Sequence, residues 1–136
     1  MASTIYWDQM FNWSGAASST LVALYSGVTS TAGTYSPQLD GTLIKVQIIL
    51  NPQAATSLCQ LARVELSQTN WTPNLLRFAV AGFGLATAPQ AFAGNQVTEE
   101  FLVNQAVNTS QPITGNHIEY YSPVTPNIIV NGCFSA

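Results

Sequence analysis

Charge is what this sequence has least of. Only 7% of its 136 residues are Asp, Glu, Lys or Arg, against roughly 25% in an ordinary soluble domain. Three of these are cations, Lys45, Arg63 and Arg77. That is too few to neutralise a phosphate backbone, so no sequence-specific nucleic-acid partner is expected. There is one histidine, His117, so Ser-His or Cys-His catalysis would have to run through that residue alone. With Glu119 and Tyr120 beside it in a strand-like run, an exposed strand histidine is the preferred reading over a general base. One His, two distant Cys and two Asp make neither a zinc site nor a calcium loop. Phosphate loops, nucleophile elbows and kinase signatures are missing as well. Glu99 and Glu100 point to opposite faces of a strand and cannot act as an acid–base couple. The expectation is no enzyme, no catalytic residue, no metal and no cofactor.

Also missing is any clear address. The opening MASTIYWDQMFNW has no basic n-region, apolar h-region or small-residue cleavage site, so no signal peptide is read in it. Residues 78–98, the best uncharged stretch, contain Pro89, Gln90, Asn95, Gln96 and three glycines, which is wrong for a membrane-spanning helix.

What is present is apolar: 47% of the residues are hydrophobic. Disordered chains show the opposite combination, poor in apolar residues and rich in charge. The length allows one domain with one core. Its polar surface must be built from Ser, Thr, Asn and Gln. Such a surface lets neighbouring molecules approach and suits self-association. It also suits acid: with six carboxylates in all, little stability should depend on pH down to about 3. A surface that drifted without selection for solubility is the third reading.

Period-two alternation recurs through the chain, and no amphipathic helix of three turns appears. Strand-like runs occupy residues 20–26, 43–50, 58–67, 75–86, 97–107, 117–121 and 127–134, with an eighth strand at 4–7 or 34–36. In 43–50, Ile44, Val46, Ile48 and Leu50 are expected on one face, with Lys45 and Gln47 on the other. In 58–67, Leu58, Ala62, Val64 and Leu66 oppose Arg63 and Glu65. Gly, Pro and Ser mark residues 27–41, 88–96 and 108–116 as connections. Runs of this length between turns predict an all-β sandwich or barrel.

Cys59 and Cys133 both fall in strand-like runs. A disulfide between them would close a loop of roughly 75 residues and constrain the unfolded chain by about 4.5 kcal/mol; two buried free thiols are the alternative. Asn12, Asn70 and Asn108 sit in N-x-S/T sequons, a number that chance alone accounts for. Tyr6, Trp7, Phe11 and Trp13 concentrate aromatic surface ahead of the first secure strand. They either lid the domain's own core or form an assembly arm buried on a neighbouring subunit or lipid layer. The corresponding division is 1–19 as an aromatic-rich arm or lid and 20–136 as the sandwich domain. On that division, removing residues 1–13 should impair assembly more than folding.

The run GTLIKVQIILNPQAATSLCQLARVELSQTNW followed by LLRFAVAGFGLATAP resembles the mid-strands of small viral jelly rolls. The chain is similar, from about residue 20 onward, to the single jelly-roll major capsid proteins of tailless icosahedral viruses of archaea and thermophilic bacteria. The resemblance implies a jelly-roll β-sandwich of two antiparallel four-stranded sheets and a structural virion protein that self-assembles into capsomers. It further implies a homo-oligomer with a second capsid or penton protein, contact with an internal lipid layer, and assembly in the host cytoplasm of a thermoacidophile. Two other classes fit the same sequence. A carbohydrate-binding sandwich would present Trp71, Tyr120 and Tyr121; a minor spike or turret protein would share the fold.

Overall fold

The computed structural model describes residues 4–14, 18–26, 33–51, 60–79, 97–122 and 127–136. Nine strands account for most of them: β1 (Ile5–Ser14), β2 (Ser18–Ser26), β3 (Thr34–Tyr35), β4 (Gly41–Asn51), β5 (Gln60–Ser67), β6 (Leu75–Ala79), β7 (Val97–Val107), β8 (Ile113–Ser122) and β9 (Asn127–Ser135). Every pairing is antiparallel, and no helix occurs among the described residues. The front sheet runs β1-β9-β4-β7 and the back sheet β2-β8-β5-β6, with the short β3 also on β8. The fold is the expected all-β sandwich of two antiparallel four-stranded sheets. The pairs are nested: β5 with β6, β4 with β7, β2 with β8 and β1 with β9.

The core lies between the sheets. Leu43, Val46, Ile48, Ile128, Val130 and Phe134 enter it from the front, and Val64, Leu66, Phe78, Ile113 and Ile118 from the back. Full burial of side chains this size contributes about 1.5–3 kcal/mol each. Phe78 meets Phe101 across the gap at 5.3 Å between ring centroids. Trp71, in the β5–β6 loop, is buried among the same residues and donates its indole N–H to the Ala106 carbonyl of β7 at 3.0 Å. That bond satisfies the one polar atom of a ring otherwise buried in apolar surroundings.

Three irregularities, in β4, β7 and β1, set the phase of the front sheet. In β4 an extra residue separates Leu43, opposite Phe134, from Lys45, opposite Cys133. Leu43 is therefore fully buried and Ile44 only half-buried, which corrects the strict alternation that put Ile44 in the core. β7 answers with its own irregularity, and Asn104 takes φ 52°, a left-handed conformation that Asn tolerates better than most residues. In β1 the register shifts between Gln9 and Phe11, so Met10, Phe11 and Trp13 are all buried.

The segment expected as an arm or a lid is an edge strand of the sandwich, paired with β9 from Ile5 to Ser14, and β2 begins at Ser18, ahead of the boundary at residue 20. Phe11 and Trp13 belong to the core, with rings stacked 4.9 Å apart. Deleting residues 1–13 would remove core side chains, so the segment is not separable from folding.

At one end of the front sheet Phe134 anchors a clasp. Tyr6 and Tyr35 stack on its ring at 5.4 and 5.7 Å. Tyr35 donates its hydroxyl to Asp8 Oδ2 at 2.5 Å, and Gln38 donates its side-chain N–H to the same oxygen at 2.8 Å. The clasp ties the β3 segment to β1. Gly132 makes room for the ring, because a Cβ there would lie 2.7 Å from Phe134 Cε2 and 3.1 Å from Leu43 Cδ1.

Two outcomes are expected. Gly132→Ala should cost about 1–3 kcal/mol of stability by overpacking, read as a lower denaturation midpoint; an unchanged midpoint would mean that the ring has room. The second concerns alkali. Burial, and then the bond to Asp8, hold the Tyr35 phenol well above its ordinary value of 10.0. Its proton is therefore released first by the unfolded chain, and the stabilisation, complete below pH 10, is lost as pH rises above it. Tyr35→Phe should lower stability at pH 7 by about 1–2 kcal/mol and flatten the loss of melting temperature above pH 10.

Candidate assembly surface

Alternation along the front sheet sends every second residue outward, and the register aligns those residues in rows across four strands. One row is Trp7, Cys133, Lys45 and Leu102. Trp7 is 47% exposed and Leu102 75%, at opposite edges of the sheet; Ile5, also on the β1 edge, is 66% exposed. Large apolar side chains this open on one sheet face mark a surface suited to a partner. Lys45 places its Nζ 5.5 Å from the centre of the Trp7 ring, a cation–π contact. Lys45 and Trp7 flank Cys133, which is buried on this outer side of the sheet.

The next row is Gln9, Asn131, Gln47 and Glu100. Asn131 Nδ2 donates to Gln47 Oε1 at 3.0 Å, and Gln47 Nε2 donates to Glu100 Oε2 at 3.3 Å. Glu100 Oε1 also receives Lys45 Nζ at 3.1 Å. The charges of these two rows pair with each other, and the rest of the second row is amide. Glu99, one residue before Glu100, pairs with inward-facing Ile48, so the two carboxylates do point to opposite sides.

The outer side of the back sheet is different in character. Glu65 is buried there and accepts from Arg77 Nε at 2.8 Å. Its partner in β8 is His117, which is half-buried. A small cleft at the end of this sheet, about 240 Å³, is lined by Ser67, Gln68, Thr69, Asn74, Leu75 and Asn116. Among the described residues no three His, Cys, Asp or Glu side chains come together as a metal site, and no helix is long and apolar enough to cross a membrane.

The sequence candidates are distributed unevenly. Of the aromatic four, Phe11 and Trp13 are core, Tyr6 is half-buried against Phe134, and Trp7 stands on the outer face. Cys133 is buried and has no disulfide partner among the described residues; Cys59 lies outside them. Trp71 is 3% exposed and so is not available to stack on a sugar, while the side chains of Tyr120 and Tyr121 fall outside the described set. Leu102 is the surface residue that sequence reasoning misses, although its place between Phe101 and Val103, in an alternating run opened by Glu100, is a signal.

No protein-family model matches the chain, and no curated protein matches it significantly. Among solved structures, a chain of the "Structure of infectious bursal disease virus Gx strain" is similar at 13% identity and a TM-score of 0.40, over 98% of this chain and 32% of that one. This chain therefore spans about a third of the length of the chain it matches.

Proposed function

We propose that the chain is a structural virion protein, a capsid subunit that self-assembles into the capsomers of an icosahedral shell. The observation that carries this reading is the outer face of the front sheet, with Ile5, Trp7 and Leu102 open to solvent and its one lysine neutralised within the sheet. A monomer protects exposed sheet surface and edges with charge, especially lysine; this chain has almost none. The nested antiparallel pairing of two four-stranded sheets supports a jelly roll, the architecture of many capsid subunits. The sequence resemblance to the single jelly-roll capsid proteins of archaeal and thermophilic bacterial viruses points the same way.

On this reading the protein resides in the virion after assembly in the host cytoplasm, a second capsid or penton protein completes the shell, and an internal lipid layer is a further contact. A disulfide between Cys59 and Cys133 stays a proposal, with two buried free thiols as its alternative. The burial of Trp71 weakens a carbohydrate-binding role. A minor spike or turret protein differs from a capsid subunit in copy number per particle.

The test is sedimentation velocity over a wide concentration range, alone and with candidate partners. The protein should shift to multi-subunit species. Because its contacts are amide and apolar rather than ionic, raising salt from about 0.1 to 1 M should not dissociate them. A protein that stays monomeric throughout would remove the reading's main support.

A further inference from the structure

We infer that the outer face of the front sheet is a self-complementary interface, in which a second copy of this chain packs front sheet to front sheet about a two-fold axis. The inference rests on the assembly reading above and adds the surface and its symmetry. Take an axis in the interface plane, parallel to the strands and between β9 and β4. Rotation about it keeps each row at its own height and reverses its order, so the β7 edge of one copy lies over the β1 edge of the other.

The chemistry matches under that reversal. The row Trp7, Cys133, Lys45, Leu102 places Leu102 of each copy over Trp7 of its partner, which covers the two large apolar side chains of the row at once. The row Gln9, Asn131, Gln47, Glu100 places Glu100 over the exposed Gln9 amide and Gln47 over Asn131. Amides donate and accept, so an amide row is a fitting partner for its own reverse. Lys45 and Glu100, already paired within each copy, leave no net charge to repel the second.

The area suffices. Four strands about 4.8 Å apart, each about ten residues long at about 3.3 Å per residue, present roughly 600 Å² per copy. Two copies bury about 1,200 Å², within the range of specific interfaces.

The experiment uses Trp7→Glu and Leu102→Lys, each in the full chain. Either change alone sets a charge against an apolar partner and should weaken association by roughly tenfold or more. Mixing the two variants should restore association. In the mixed pair the carboxylate introduced in one copy lies over the ammonium introduced in the other, while at the opposite end Leu102 still covers Trp7. Leu39→Glu, a comparably exposed site in the loop before β4, should leave association unchanged. Melting curves check folding, and Leu102, three-quarters exposed, carries the test should Trp7→Glu fail to fold. Wild-type association by both variants, or failure of the mixture to recover, would overturn the face-to-face arrangement while leaving the capsid reading standing. A monomeric wild-type protein would overturn both.

Discussion

The last strand, β9, holds the front sheet together. It lies between β1 and β4 and is hydrogen-bonded to both along its length. Its inward side chains Ile128, Val130 and Phe134 are almost fully buried. Phe134 then serves as the platform for Tyr6 and Tyr35, and Gly132 is required beneath it because its Cβ position is already filled by that ring. The first strand therefore has no sheet to join until the last one is in place. Closure of this kind costs loop entropy and is slow to form, and it makes the N-terminal strand part of the same cooperative unit as the C-terminus. The aromatic residues at the start of the chain serve that closure from one side of β1 and face outward from the other.

That division of β1 explains how one strand serves both the core and the surface. Its inner positions, Phe11 and Trp13, are 5% exposed, whereas Trp7 is nearly half exposed. The same division runs through β4, where Val46 and Ile48 are core and Lys45 and Gln47 belong to the outer network. With so few charges in the chain, the outer network satisfies polar groups largely among themselves. A face of that kind is weakly repelled by a copy of itself, as the proposed assembly requires.

Much of the fold is legible in the sequence, because period-two alternation follows directly from the pleat. Val46 and Ile48 in β4, and Val64 and Leu66 in β5, are core as their spacing implies. The bulges are not legible: one extra residue leaves no mark on composition, yet it exchanges Ile44 for Leu43 in the core. Gly115 reads as loop chemistry beside Pro112, but it sits buried in β8, opposite Leu66, with its N–H donated to the Gly33 carbonyl at 3.2 Å. Trp71 reads as an exposed loop aromatic because nothing local reveals that its indole reaches Ala106 on the other sheet. The outer face is legible only in part. Trp7 stands out by its aromatic neighbours, whereas Leu102 lies far from it in sequence and joins its row only through the pairing of four strands.

If this sandwich is one unit of a closed protein shell, electron microscopy of the purified protein under assembling conditions, or of particles from its source, tests that most directly. Closed shells or regular capsomers are expected, with repeating density that accommodates a two-sheet sandwich of this size. Dispersed single domains under every condition, or particles in which no repeating density fits the sandwich, would contradict it.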